Sequence, residues 1–199
     1  KFFKTLPKRE IICGYAEILK HSLISNKKFF LFLNKNIFKI LKLKSPFIEK
    51  SIHQSCLIKK EIVQKDEKEK NLRKILNFGH TFAHAYEASL GYSSKLNHGE
   101  AVLIGIIHAS KFSLQNKLLS KKEFELIQNH LFNFNLIKKI NKIISLKKTK
   151  NIIEFMKKDK KNTNKKINLV LLKKIGKPIF NLNFSEKKIK SFIKNKLVD

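Results

Sequence analysis

Apolar residues recur at intervals of three and four along most of the chain, which is the spacing expected of amphipathic helices. The pattern is clearest within residues 7–24, where the apolar positions are Ile11, Ile12, Tyr15, Ile18, Leu19 and Leu23. Comparable helical patterns occupy residues 27–43, 45–67, 72–91, 98–118, 121–136, 147–161 and 185–199. The sequence therefore predicts a mainly α fold.

Two helix boundaries can be predicted from serine, proline and glycine. Ser45 is predicted to cap the helix that follows it, with Pro46 in the first helical position. Residues 72–91 are predicted to form a single helix, and Gly91 is the type of residue that ends a helix in a left-handed conformation. These boundaries place most of the polar side chains of interest on helices.

A β pattern is confined to the region near residues 167–183, where two short apolar runs flank a turn with Gly176 and Pro178. The 199 residues, 42% of them hydrophobic, are enough for a substantial core. We therefore expect one helical domain spanning residues 1–199, with a small β-hairpin. Because the chain starts at Lys1 in what reads as the middle of a protein, we interpret it as a fragment.

The chain is strongly basic, with a formal net charge of +29, which raises the question of nucleic-acid binding. Its lysines are spread along the whole sequence and accompany many Asn, Ile and Phe residues, as expected of a general compositional bias. Arg9 and Arg73 are its only arginines, whereas proteins that grip phosphate backbones favour arginine. A specific nucleic-acid function is therefore disfavoured, and the two arginines are candidates for dedicated roles.

The cellular location can be predicted from what the sequence contains. Its apolar runs are too short to cross a bilayer, so we expect no membrane partner. The N-terminal residues do not read as a signal peptide. Two distant cysteines, Cys13 and Cys56, fit a reducing compartment better than a disulfide scaffold. We therefore expect a cytoplasmic protein.

Histidines are concentrated in residues 76–102, which include His80, His84 and His98. His80 and His84 are one helical turn apart and can face one site, as metal-chelating pairs do. Two hydrogen-bonded helix histidines would show the same spacing. A carboxylate ligand is available at Glu17, and periodicity cannot decide whether His80 or His84 would complete the set with His98.

Charged residues suggest an anion site beside these histidines. Glu17 and Lys20 are three residues apart and can form an ordinary surface ion pair or point into a pocket. On a continuous helix, Arg73, Asn77 and His80 would lie on one stripe, with the guanidinium available to a carboxylate or phosphate. The charge pattern around Glu69 is by itself typical of a solvated turn. Arg73 could also simply pair with Glu69, four residues earlier.

Three longer motifs resemble the 3-dehydroquinate synthase family. They are "LPKRE…GYAEILKHSLI", "KDEKEKNLRKILNFGHTFAHAYEA" and "HGEAV", and the match runs in order from Phe2 to about Ile175. It covers the C-terminal, mainly helical domain of that family. The resemblance therefore implies a dehydroquinate synthase-like fold, whose N-terminal Rossmann-like NAD-binding domain is not contained in this sequence.

The same resemblance implies roles for individual residues. The matching metal ligands, for zinc or cobalt, are Glu17, His80 and His98. The matching substrate contacts are Lys20, Lys59, Arg73, Asn77, His84 and either Lys160 or Lys161. The positions matching proton transfer are Glu69 and His84. The positions matching a strip that contacts NAD are Phe2, Phe3, Lys4 and Thr5.

The activity implied by the resemblance is that of 3-dehydroquinate synthase, an NAD- and zinc-dependent carbon–oxygen lyase. That enzyme converts 3-deoxy-D-arabino-heptulosonate 7-phosphate to 3-dehydroquinate and phosphate in the shikimate pathway of aromatic amino acid and chorismate biosynthesis. The expected partners are this substrate and the protein's own N-terminal domain, with a homodimer as one option. The isolated chain is expected to be inactive. The alternatives are a related metal-dependent polyol or alcohol dehydrogenase, an inactive helical domain, and a basic nucleic-acid-binding domain.

Overall fold

The computed structural model describes residues 2–137, 143–158 and 166–198. These residues form eight α-helices: α1 (Lys8–Ser25), α2 (Lys27–Leu41), α3 (Phe47–Lys65), α4 (His80–Ser89), α5 (His98–Gln115), α6 (Lys121–Asn133), α7 (Thr149–Lys158) and α8 (Glu186–Val198). Short 3-10 helices span Phe2–Thr5, Leu72–Asn77 and Leu146–Lys148. A two-stranded antiparallel sheet consists of β1 (Lys166–Lys174) and β2 (Lys177–Ser185). The predicted mainly α fold with a C-terminal hairpin is confirmed.

Helix α5 lies at the centre of the core. It is buried on nearly all sides and contacts α1, α4, α6 and β1. Its apolar composition explains this position, because a helix that is hydrophobic all round has to be covered on every face. Within the described ranges, no helix combines the length and apolar character needed to cross a membrane.

The start of α3 differs from the prediction. The helix begins at Phe47, Pro46 occupies the capping position, and no side chain caps this helix end. The backbone N–H groups of Phe47 and Ile48 donate instead to the carbonyl of Lys44, at 3.0 and 3.2 Å. The predicted cap by Ser45 is therefore wrong, because the preceding turn already satisfies these N–H groups.

The predicted single helix over residues 72–91 is also wrong. A 3-10 helix ends at Asn77, and α4 starts at His80 after Gly79, whose φ of +81° interrupts the helix. A Cβ on Gly79 would lie 2.8 Å from the Ile106 nitrogen, and one on Gly105 would lie 2.1 Å from the Gly79 carbonyl oxygen. The close approach of α4 to α5 thus requires a glycine on each side and sets where His80 begins its helix.

The β-hairpin packs against α5 through strand β1. Ile167 pairs with Phe184 and Leu169 with Leu182, and the ladder then shifts in register. The turn is at residues 175–176, so Pro178 lies inside β2 and not in the turn. The side chains of β1 are mostly buried, which agrees with its position against α5.

Candidate metal and substrate site

Three elements that are distant in sequence bring Glu17, His80 and His98 together. Glu17 lies in the middle of α1, whereas His80 and His98 are the first residues of α4 and α5. One ligand atom from each residue lies within 4.8 Å of the other two. The Glu17 Oε1 and His80 Nε2 atoms are 3.5 Å apart, and the two imidazole centroids are 5.6 Å apart. This donor set, one carboxylate and two imidazoles, is typical of catalytic zinc sites.

The protonation state of His80 shows that the set fits a cation. Its Nδ1 lies 3.3 Å from the Phe78 carbonyl oxygen, which can only accept, so Nδ1 carries the proton. Burial, helped by the charge of Lys20, lowers the pKa of His80 to about 3, so the ring is neutral. Its Nε2 lone pair therefore faces the Glu17 Oε1 lone pairs directly. Two acceptors facing each other are stabilised by a cation between them.

Lys20 keeps the Glu17 carboxylate ionised, as a group that faces a cation needs to be. Lys20 Nζ donates to Glu17 Oε2 at 2.7 Å. Burial alone would raise the pKa of Glu17, but the charge and hydrogen bond of Lys20 outweigh it, and the pKa is lowered. Among the described residues, the buried Oε1 has no hydrogen-bond partner. Lys20 is only 3% exposed, so the ordinary surface-pair interpretation of this pair is wrong.

His84 lies beside the three candidate ligands on the exposed side of α4. Its ring is perpendicular to that of His80 at 5.3 Å and nearly parallel to that of His98 at 6.1 Å. His84, Glu87 and His98 form a second group whose ligand atoms also lie within 4.8 Å of one another. His98 Nδ1 is 3.3 Å from each carboxylate oxygen of Glu87. That hydrogen bond is the main reason why the pKa of His98 is raised.

A polar cleft of about 230 Å³ adjoins the candidate ligands Glu17 and His80. Five of the predicted substrate-binding and proton-transfer residues line it, whereas His84 does not; the five are Lys20, Lys59, Glu69, Arg73 and Asn77. The other lining residues are Glu17, His21, Leu76 and His80. The Asn77 amide donates to Glu69 Oε1 at 2.9 Å, and the Arg73 guanidinium donates to the Glu67 carbonyl at 2.6 Å. The three cationic side chains of the cleft outnumber its two carboxylates, Glu17 and Glu69, which favours an anionic ligand.

Sequence reasoning missed the role of Asp66 in the loop beside this cleft. Its carboxylate accepts the backbone N–H groups of Lys70, Asn71 and Arg73, at 2.9, 2.7 and 2.9 Å. These bonds, above all the one from Arg73, lower the pKa of Asp66. They hold the loop in which Glu69 adopts a left-handed φ of +53°. The charged run predicted as a solvated turn is therefore also a structured support for Glu69.

Sequence reasoning likewise missed the role of Arg9. Arg9 Nε and Nη2 donate to the two carboxylate oxygens of Glu100, at 2.9 and 2.5 Å. Glu100 also forms a capping box with Asn97 at the start of α5. The pair therefore ties the start of α1 to the start of α5, the two helices that carry Glu17 and His98. The scarcity of arginine was the only signal in the sequence.

A buried histidine next to the cleft had no sequence signal. His21 Nδ1 is 2.7 Å from Ser55 Oγ, and burial, with Lys20, lowers the pKa of His21 to about 4. Within the described part of the chain, its buried Nε2 has no partner. His21 lines both the polar cleft and an apolar cavity of about 340 Å³ beside α1 and α3, which Phe3 also lines.

The remaining predicted positions lie at the edges of the site or outside the described residues. Phe3 lines the apolar cavity, and Thr5 is exposed. Both belong to the 3-10 helix Phe2–Thr5. Phe2 and Lys4 contribute backbone to that helix. Lys160 and Lys161 fall outside the described residues. The assignments of NAD and substrate contacts to these positions stay predictions.

The fold is that of a class of synthases known from solved structures. The 2-epi-5-epi-valiolone synthase ValA of Streptomyces hygroscopicus subsp. jinggangensis 5008, solved with NAD+ and Zn2+, superposes with a TM-score of 0.81 at 21% identity, covering 96% of this chain and 52% of that chain. A 2-deoxy-scyllo-inosose synthase complexed with carbaglucose-6-phosphate, NAD+ and Co2+ superposes with a TM-score of 0.79 at 23% identity, covering 96% and 53%. The TM-scores establish a shared fold, and at identities this low the comparison establishes nothing beyond the fold.

Sequence relatives define the family within that class. The family described as 3-dehydroquinate synthase C-terminal matches residues 14–162. The 3-dehydroquinate synthase of Pelagibacter ubique (strain HTCC1062) is 64% identical over 196 residues, which is 98% of this chain and 53% of the relative. That of Thermodesulfovibrio yellowstonii is 42% identical over 190 residues, 96% of this chain and 52% of the relative. The chain thus belongs to the 3-dehydroquinate synthase family and spans about half the length of the curated relatives it matches.

Proposed function

We propose that this chain is the metal- and substrate-binding domain of a 3-dehydroquinate synthase, which converts 3-deoxy-D-arabino-heptulosonate 7-phosphate to 3-dehydroquinate and phosphate. The observation that carries the proposal is the 3.5 Å approach of Glu17 Oε1 and His80 Nε2, next to Lys20 and a cationic cleft. A site that pairs a cation with an anion pocket suits a phosphorylated hydroxy acid. The family relationship supports the same activity.

Glu17, His80 and His98 would hold the metal, zinc or cobalt. The chemistry supplied there by the bound ion is polarisation of the substrate's carbon–oxygen bond, and that supplied by NAD is reversible acceptance of hydride. Lys20 keeps Glu17 ionised, because its ammonium lowers the pKa of that carboxyl against the effect of burial. The Phe78 carbonyl keeps the His80 ring in the tautomer whose Nε2 faces the site.

The cleft residues would bind and orient the substrate. Lys20, Lys59 and Arg73 place three positive charges where the phosphate and carboxylate would lie, with Lys160 or Lys161 as a further contact. Asn77 would hold a substrate hydroxyl while it also positions Glu69. Glu69 and His84 would transfer protons at the reacting carbons. Elimination of phosphate requires removal of a proton from a carbon next to the ketone. Because the ketone acidifies that C–H bond, a weak base can remove the proton.

The other half of the proposed enzyme would be an N-terminal NAD-binding domain. The 3-10 helix at Phe2–Thr5 would contact NAD, and the cofactor would lie between the two domains. Without that domain, residues 1–199 would bind metal but not turn over substrate. A homodimer is one option for the assembly, and the cytoplasm is the proposed location.

The test uses the full-length enzyme that contains this chain. Phosphate release from 3-deoxy-D-arabino-heptulosonate 7-phosphate should require NAD and zinc and should stop on chelation of the metal. His80→Gln should lower zinc content and activity together. His53→Gln, in an exposed position on α3, is the matched control and should leave both unchanged. A protein that binds no divalent metal, or that accumulates NADH from simple polyols without releasing phosphate, would contradict the proposal.

A further inference from the structure

The pair Glu87 and His98 connects two elements of the metal site. Glu87 lies on α4, seven residues after His80, and its side chain is largely buried. Both of its carboxylate oxygens are 3.3 Å from His98 Nδ1. The resemblance to the family implies no role for Glu87, and Glu87 lines neither the polar cleft nor the apolar cavity.

The contact decides which nitrogen of His98 is free. A carboxylate only accepts hydrogen bonds, so the Nδ1 that faces it carries the proton. The remaining nitrogen, Nε2, then presents its lone pair, as a metal ligand must. His80 shows the same arrangement, because its Nδ1 faces the Phe78 carbonyl oxygen at 3.3 Å. Both imidazoles are therefore held by an oxygen acceptor behind the ring and expose the same nitrogen.

We propose that Glu87 is a positioning residue for the metal centre: its carboxylate holds the Nδ1–H of His98 and thereby aims Nε2 at the cation shared with Glu17 and His80. Carboxylate–histidine pairs of this kind fix ring orientation in metalloproteins and raise ligand basicity. The inference rests on the proposed function, since it assumes that the three residues bind a metal.

A competing arrangement uses the same residues differently. His84, Glu87 and His98 could hold a second cation of their own, since their ligand atoms lie within 4.8 Å of one another. In that case Glu87 would be a direct ligand, and His98 could not keep its Nδ1–H bond to Glu87. The hydrogen bond through both carboxylate oxygens favours one cation per chain, with Glu87 behind His98.

The experiment measures the zinc affinity and stoichiometry of the full-length enzyme by competition with a chelating dye. Glu87→Ala should weaken zinc binding by about 10- to 100-fold, the range found when such outer partners are removed. Glu87→Gln should restore most of the affinity, because the amide oxygen can accept the same Nδ1–H. Glu125→Ala, an exposed position on α6, is the control and should bind zinc as the parent does.

The outcomes separate this inference from the proposed function. One zinc per chain, with loss on Glu87→Ala and recovery on Glu87→Gln, supports it. Parent protein that binds zinc while Glu87→Ala binds it equally well overturns the inference alone. Two zinc ions per chain, falling to one in both Glu87 variants and in His84→Ala, would instead make Glu87 a ligand. Parent protein that binds no zinc contradicts the proposed function itself.

Discussion

Gly99 lies directly against Cys13, where α5 starts beside α1. A Cβ at residue 99 would be 2.2 Å from the Cys13 Cα, and the Gly99 N–H donates to Cys13 Sγ at 3.1 Å. The neighbouring residue is the proposed ligand His98, so this contact sets the separation between the helices that carry His98 and Glu17. Because the obstructing atom is backbone, a side chain at residue 99 could fit only if the helices moved apart.

Gly99→Ala should therefore destabilise the domain, by about 1–3 kcal/mol or more, as overpacking of a tight core does. Zinc affinity should fall as well, since the separation of α1 and α5 would increase. Chemical unfolding and zinc titration measure the two effects. Gly14→Ala is the matched control on α1: a Cβ there meets nothing within 4 Å among the described residues. Helix propensity predicts that the control is stabilised by up to about 1 kcal/mol.

The buried ammonium of Lys20 should govern the pH range of metal binding. In Lys20→Met, the Glu17 carboxylate loses the charge and hydrogen bond that offset its burial, so the pKa of Glu17 should rise above its usual value. Protonation would then compete with the metal at a higher pH. Zinc affinity measured from pH 8 to pH 5 should decline earlier in the variant than in the parent. Lys59→Met, an exposed lysine of the same cleft, should leave this profile unchanged.

Arg73→Lys should weaken substrate binding or turnover about tenfold or more, equivalent to at least ~1.4 kcal/mol. The guanidinium lines the cleft while it donates to the Glu67 carbonyl at 2.6 Å, so the loop holds it in one orientation. A lysine cannot make the same planar contact with a carboxylate or phosphate. Zinc content and the unfolding midpoint should not change. Steady-state kinetics within twofold of the parent would place Arg73 outside the substrate site.

His130 should contribute to loss of stability in acid. It is buried between Tyr15 and Asn34, with contacts of 2.8 Å at each ring nitrogen, and burial lowers its pKa to about 4. The unfolded chain, with a histidine pKa of about 6.5, binds more protons between these values. The free energy of unfolding is therefore highest, with respect to this group, above about pH 6.5. It falls by up to about 1.4 kcal/mol per pH unit as the pH decreases from there towards 4.

The variant His130→Gln tests this dependence. Urea unfolding between pH 7 and pH 4 should show a shallower decline in the variant than in the parent, because one titrating group is removed. The variant should keep part of the decline through His21, whose pKa is also lowered to about 4. Equal slopes in parent and variant would show that His130 titrates normally in the folded state.

The helical class could be predicted from sequence because amphipathic periodicity reports which face of each segment is buried. The hairpin could be predicted as well, since its two short apolar runs and Gly176 are local features. The candidate ligands Glu17, His80 and His98 were recognisable because they lie in long motifs of the family. Each of these features depends on residues close together in the chain.

Only the tertiary structure decided how these residues are arranged. The helix predicted across residue 79 is broken because Gly79 packs against Gly105, a contact between residues that are distant in sequence. The proximity of Glu17 to His80 favours His80 over His84 as its partner, and the burial of Lys20 makes its ion pair part of the site. Periodicity describes one segment at a time, whereas burial, protonation and the approach of two backbones depend on what another segment places opposite.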